Sequence, residues 1–217
     1  MSDTTRIDER SAFLREFLRD PFTVAAVTPS GTPLAHLATA GIPRTGHPTV
    51  AELGPGTGAF TRAIQRRLDG RGHHLAIEIN QRFADLLTHR HPNIHIAVTD
   101  ARNLRTVLTT HNHHHADVII SGLPWAAFSP SQQDDLLNAV TAALAPHGVF
   151  TTFAYTHTQW APPARRLRQS LQDRFEEVIS SRTIWNNLPP AFVYYCRRPR
   201  TPATTPYPHS SEQDPVS

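Results

Sequence analysis

Cysteine is nearly missing from this chain. The one residue, Cys196, excludes an internal disulfide, and its place in an apolar run marks a packed thiol rather than a nucleophile or metal ligand. Lysine is missing altogether, so all 21 basic side chains are arginine. Against 18 Asp and Glu they leave a formal charge of +3, too mild a balance for a nucleic-acid surface. The fourteen His add charge only as pH falls toward their ordinary pKa near ~6.5. Long apolar runs are also absent: nothing approaches the roughly 20 residues that cross a bilayer, and the N-terminus alternates acids and arginines where a secretory signal would be apolar. These absences predict a cytoplasmic protein. At 217 residues and 39% hydrophobic content the chain is long enough for one well-cored domain.

The apolar pattern divides the chain into three. Residues 1–48 read as N-terminal helices: an amphipathic helix over residues 10–20, with Phe13, Leu14, Phe17 and Leu18 on one face, then a second helix around Leu34–Ala40 stopped by Gly41 and Pro43. Residues 49–198 alternate short apolar runs with helical patterns, as a parallel sheet with crossover helices does. Strands are expected near Thr49–Leu53, His74–Ile79, Ile94–Thr99, Val118–Ser121, Gly148–Ala154, Glu177–Thr183 and Ala191–Arg197. Helices are expected over Phe60–Leu68, Gln81–Arg90, Gln132–Ala143 and Pro163–Phe175. The last two strands have no helix between them, which predicts a terminal hairpin and one antiparallel strand in a seven-stranded, mostly parallel sheet. Residues 199–217 are rich in Pro, Ser and Thr and read as a disordered tail. The cluster His111, His113, His114 and His115 sits in a polar loop without further ligands, and no metal is expected there.

Three strand ends carry chemistry. Glu52-Leu53-Gly54-Pro55-Gly56-Thr57-Gly58 places a glycine turn between a strand and a helix, where a missing Cβ lets the backbone approach a ligand. Glu78, with Ile79 beside it, ends the next strand, where a carboxylate can accept from both ribose hydroxyls. Asp100-Ala101 ends the third, placed for an adenine amino group. A dinucleotide site would need G-x-G-x-x-G and room for a pyrophosphate; this loop is G-x-G-x-G, and Glu52 before it suits a cationic amino group instead.

These residues resemble the class I S-adenosylmethionine-dependent methyltransferases over roughly residues 28–198. Within them, Phe13–Gly31, the glycine loop, Ser121-Gly122-Leu123-Pro124-Trp125 and Asn187-Leu188-Pro189-Pro190-Ala191 resemble the bacterial phospholipid N-methyltransferases, relatives of the ribosomal RNA adenine dimethylases. The resemblance implies a Rossmann-like α/β fold with an N-terminal helical cover, S-adenosyl-L-methionine as cofactor, and contacts to it from Ser30, Glu52, Gly54, Gly56, Gly58, Glu78, Ile79, Asp100, Ala101 and Ser121. The implied activity is N-methylation of phosphatidylethanolamine and its methylated derivatives, at the inner face of the cell membrane.

On the acceptor side, amino-methylating enzymes of this fold carry an Asn- or Asp-led tetrapeptide after the fourth strand, and Gly122 takes the amide's place here. That disfavours a planar base amine and suits an aliphatic one, with Leu123, Pro124 and Trp125 as an apolar wall. Once methylated, the amine is a soft cation, for which Trp125, Tyr155, Trp160 and Trp185 are candidate partners; Tyr155, at the end of the fifth strand, is the first choice. Arg6, Arg10, Arg15 and Arg19 flank the first helix as in an interfacial anchor, and Arg165, Arg166 and Arg168 are placed to approach lipid phosphates. A soluble small-molecule methyltransferase, an RNA adenine methylase and a non-catalytic cofactor-binding protein are the alternatives.

Overall fold

The computed structural model describes residues 31–200. The expected helix over residues 10–20, Ser30, and the tail beyond residue 200 lie outside the described residues. The chain runs α1 (Thr32–Ala38), β1 (Thr49–Leu53), α2 (Ala59–Leu68), β2 (His73–Glu78), α3 (Gln81–Arg90), β3 (His95–Val98), α4 (Leu104–Thr110), β4 (Ala116–Ser121), α5 (Pro130–Ala143), β5 (Leu144–Tyr155), α6 (Pro162–Arg174), β6 (Phe175–Ser180) and β7 (Ala191–Pro199). The strands form one sheet in the order β3-β2-β1-β4-β5-β7-β6. β7 lies antiparallel between β5 and β6, and the other pairings are parallel. This is the mostly parallel sheet with one reversed strand that the pattern predicts. No helix among the described residues is long and apolar enough to cross a membrane.

Side-chain alternation assigns each strand's residues to two faces. On one face Ala51, Leu53, Leu75, Ile77, Ile119 and Phe150 pack with α4, α5 and α6. On the other, Val50, Ile120 and Val193 pack with Leu34 of α1 and Phe60 and Ile64 of α2. The first core is organised by aromatics: Phe150 stacks on Phe175 at 6.0 Å and meets the Trp125 edge at 6.2 Å. Local signals start several helices. Ser129 and Gln132 form a reciprocal capping box for α5, and the Asn80 side chain accepts from Arg82 N–H at the start of α3.

Three elements depart from expectation. α4 was not expected between β3 and β4. Leu104, Val107 and Leu108 are buried at helical spacing, but Thr106, Thr109 and Thr110 dilute the propensity, and seven residues are too few for the period to stand out. β5 begins at Leu144 rather than Gly148, directly after α5, and its ladder to β4 shifts register between Ala116 and Val118. β7 also continues past the expected Arg197 to Pro199.

β2 and β3 extend the sheet to one side of β1, while β4 and β5 extend it to the other. The β1/β4 boundary is therefore the topological switch point, where crevices open at the carboxyl edge of such sheets. Phe150 is fully buried at the centre of the larger core. Phe150→Ala is expected to cost about 3–5 kcal/mol of stability, read as a lower urea midpoint at unchanged slope.

Candidate active site

After Leu53 the chain turns through Gly54, Gly56 and Gly58, with φ of 66°, 54° and 89°, into α2. A Cβ on Gly54 would strike Leu123 and one on Gly58 would strike Leu87, but one on Gly56 would meet nothing within 4 Å. Gly56 therefore faces open space, and a side chain there would both strain the backbone and fill a ligand's place. Its N–H donates to Glu78 Oε2 at 3.0 Å, which ties the turn to the end of β2.

Glu78 is buried, and Asn80 N–H donates to its other oxygen at 2.9 Å. Burial pushes its pKa up; N–H groups of Asn80, Gly56 and Ile79 oppose this without cancelling it, and repulsion from Glu52 adds to it. Carboxylate oxygens have two acceptor sites each, and the bonds from Gly56 and Asn80 take one on each oxygen, so acceptor capacity remains. Ile79, 49% exposed, offers an apolar surface beside it. Asp100 sits at the next strand end and caps the short helical turn Ala101–Asn103 by accepting from Arg102 N–H. The Arg102 guanidinium grips both its oxygens at 2.9 and 2.8 Å and holds its pKa below the usual value. Ala101 is half-buried against the core.

Glu52 is fully buried on the α2 face of β1. Thr61 Oγ1 donates to its Oε2 at 2.8 Å, and His74 Nε2 lies 3.0 Å from the same oxygen. Gln65 Nε2, a donor only, lies 2.9 Å from His74 Nδ1; that makes Nδ1 the acceptor and aims the Nε2 proton at Glu52. Glu52 Oε1 is buried with no partner among the described residues. His74, Gln65 and Thr61 escaped the sequence reading, since nothing in their spacing marks a buried network.

Across the switch point, Gly122 N–H donates to Leu53 O at 2.8 Å, and a Cβ on Gly122 would lie 2.7 Å from Gly54 O. The loop tolerates no side chain at the position where an amide or acid would act. Ser121 Oγ accepts from Trp125 Nε1 at 3.0 Å and from Leu123 N–H at 3.3 Å. Trp125 is 3% exposed and packs on Phe128 and Phe150, so its ring belongs to the core and offers no face to an acceptor. This corrects its expected place in the apolar wall and as a cation partner; Leu123 and Pro124 remain half-exposed. Gln133 Nε2, which no sequence signal marked, donates to Trp125 O at 2.6 Å and braces the loop.

Tyr155, half-buried at the end of β5, packs edge-on against Phe153 at 5.5 Å and near His157 at 5.8 Å. Burial raises its pKa, keeping the phenol protonated. Trp160 and Trp185 are 77% and 75% exposed and form no part of the walled crevice. Two donors after Tyr155, Thr156 Oγ1 and Arg166 Nη1, are buried without partners among the described residues, whereas Arg165 and Arg168 are exposed. Of the His cluster, His113 meets Thr49 and His73 at the opposite, amino edge. Asn187 is buried and accepts from Gly31 N–H at 3.0 Å while donating to Pro189 O at 2.7 Å.

An open glycine turn, an unpaired buried acceptor on Glu52 and spare acceptor sites on Glu78 fit an amino-acid nucleoside such as S-adenosylmethionine. The comparisons agree. Residues 50–148 match a methyltransferase domain family. The chain is 31% identical over 188 residues to an ornithine lipid N-methyltransferase of Singulisphaera acidiphila, covering 85% of this chain and 94% of that protein. An S-adenosylmethionine-dependent O-methyltransferase from Thermotoga maritima superposes with a TM-score of 0.57 at 14% identity, over 85% of this chain and 72% of that one. A magnesium protoporphyrin IX methyltransferase from Synechocystis, solved with the cofactor bound, superposes with a TM-score of 0.52 at 9% identity, over 70% and 71%. At such identities the two structures speak for the fold alone.

Two expectations follow from the geometry. Gly122→Asn should weaken cofactor binding in calorimetry roughly five- to hundredfold, because the new side chain must push β4's end off Gly54, at a cost of about 1–3 kcal/mol. Glu78 accepts hydroxyls best when ionised, and burial pushes its pKa up, so in the proposed reading cofactor affinity should fall as pH is lowered, beginning above the ordinary carboxylate range. Glu78→Gln should bind weakly with no such slope.

Proposed function

This chain belongs to the class I S-adenosylmethionine-dependent methyltransferases, and we propose that it N-methylates the amine of a membrane lipid, phosphatidylethanolamine and its methylated derivatives, toward phosphatidylcholine. The observation carrying the lipid reading is the chain-long likeness to a lipid N-methyltransferase. Gly122 supports it from the structure, since a planar base amine needs the acceptor that this position has no room for. When bound, S-adenosylmethionine supplies an electrophilic methyl group. The chain's own task is to place and desolvate the amine.

Leu123 and Pro124 serve as the apolar side of the approach, and the Tyr155 ring at the end of the neighbouring strand β5 serves the amine. An aliphatic ammonium has an ordinary pKa near ~10.4, and an apolar setting lowers it, favouring the neutral form that has a lone pair to give. Water exclusion and orientation then supply the acceleration. After the first transfer, the Tyr155 ring holds the methylated cation by about 0.5–2 kcal/mol. Thr156 Oγ1 and Arg166 Nη1 serve the anion that shares the head group with the amine. Ornithine lipid is the second acceptor to weigh, because the relative is named for it and it too pairs an amine with an anion. In this reading the chain works from the cytoplasmic side as a peripheral membrane protein.

The test is mass spectrometry of lipid extracts after incubation with the cofactor and vesicles of phosphatidylethanolamine or of ornithine lipid, with Glu78→Ala as control. Mono-, di- and trimethylated phosphatidylethanolamine with the wild type alone is the expected result. Methylation of ornithine lipid only would reassign the acceptor, and methylation of neither, with cofactor bound, would end the lipid reading. Arg166→Leu should raise the lipid KM roughly tenfold or more through loss of a charged hydrogen bond, leaving cofactor affinity unchanged.

A further inference from the structure

Among the described residues the exposed large apolar side chains are Ile79, Val98, Trp160, Ile179, Trp185 and Leu188. Scattered singly, such residues need no explanation. These are not scattered. Ile79 follows the last residue of β2, Val98 ends β3, and Ile179 is one short of the end of β6, so all three lie at the carboxyl edge. Trp160 follows the turn at the end of β5, and Trp185 and Leu188 belong to the loop leading into β7.

Those two loops adjoin. Tyr155 pairs with Ala191, Thr156 N–H donates to Pro190 O at 2.9 Å, and Ile184 exchanges backbone hydrogen bonds with Ala191. The second loop is also held from within, since Ile184 and Asn187 are buried while Trp185 and Leu188, at 75% and 73%, stand out of it. Apolar side chains are thus presented to solvent on a braced backbone beside Tyr155.

The segments that carry Trp160, Trp185 and Leu188 have charge of one sign. Residues 156–172 and 181–190 contain Arg165, Arg166, Arg168 and Arg182 and no acid. The nearest acids in sequence are Asp173 in the last turn of α6 and Glu176 and Glu177 near the start of β6, all at the opposite, amino edge; Glu176 and Glu177 lie against Arg198 there. We propose that Trp160, Trp185 and Leu188 form the bilayer-facing rim of this protein, seated in the head-group layer of an anionic membrane with the mouth of the crevice against the lipid. This rests on the lipid reading of the acceptor. Tryptophan concentrates at membrane interfaces because its ring is apolar and its N–H polar, and arginines beside an anionic leaflet add a salt-sensitive attraction.

The chain's three tryptophans make the test direct. Full-length protein is mixed with vesicles of phosphatidylglycerol and phosphatidylcholine with brominated acyl chains, free of any amino lipid. Quenching of tryptophan emission that weakens with salt is expected. In Trp160→Phe/Trp185→Phe, which keeps only the buried Trp125, quenching should vanish. Trp160→Ser/Trp185→Ser should lower vesicle partitioning on the order of tenfold, with cofactor affinity and urea midpoint unchanged.

Absent quenching would overturn the rim, whether because residues 1–30 cover it, seen as emission already shielded from iodide, or because a second copy does, seen as a dimer in sedimentation that Trp185→Ser dissolves. Methylation of phosphatidylethanolamine in detergent micelles without vesicle quenching would remove the rim and leave the acceptor reading standing. Quenching without lipid methylation would do the reverse.

Discussion

The ends of β1 and β4 meet so closely that neither can carry a side chain at the point of contact. Gly122 donates its N–H to Leu53 O and lies over the Gly54 carbonyl, where a Cβ would sit 2.7 Å away. This approach closes the floor of the switch-point crevice with backbone alone. It sets the position of the glycine turn on one side and of Leu123 and Pro124 on the other. The network behind each wall keeps that contact in register: Ser121, Trp125 and Gln133 under the β4 loop, and Thr61, His74 and Gln65 around Glu52 under the β1 turn.

Negative charge is arranged around this floor in graded degrees of availability. Glu52 is buried with one oxygen saturated and one open. Glu78 is buried with backbone donors that leave acceptor sites spare, and its raised pKa records the cost of holding a carboxylate out of water. Asp100, nearer the surface, is shared with Arg102 and stays ionised. From Glu52 through Glu78 to Asp100 the acceptors become steadily less buried.

How much of this was legible beforehand depended on whether one residue carried a signal by itself. Glycines between a strand and a helix and an acid at each strand end are local statements, and the structure puts them where the pattern does; the capping box at Ser129 is just as local but was not read. α4 was invisible because seven residues rich in Thr do not display a period. The interior role of Trp125 was hidden because an indole after β4 reads equally as a wall or as core, and only its bond to Ser121 and its contact with Phe150 decide. His74 and Asn187 act through partners distant in sequence, Glu52 and Gly31, and Gln133 holds a backbone carbonyl eight residues away, a contact that no residue pattern marks. Cys196, by contrast, was read as a packed thiol from its neighbours; it is fully buried and its pKa is pushed up by burial, beyond reach of ordinary thiolate chemistry.

The reversal of β7 does more than complete the sheet. A seventh parallel strand would be reached by a connection returning to the amino edge; an antiparallel one brings the segment before it, residues 181–190, to the carboxyl edge beside Tyr155. That edge is thereby divided between two tenants. In the proposed reading, the ends of strands β1 to β3 serve the donor with glycines and acids, and the loops around β5 and β7 serve the acceptor. Such a layout lets a lineage change what is methylated by rewriting one half of an edge while the other half stays as it is.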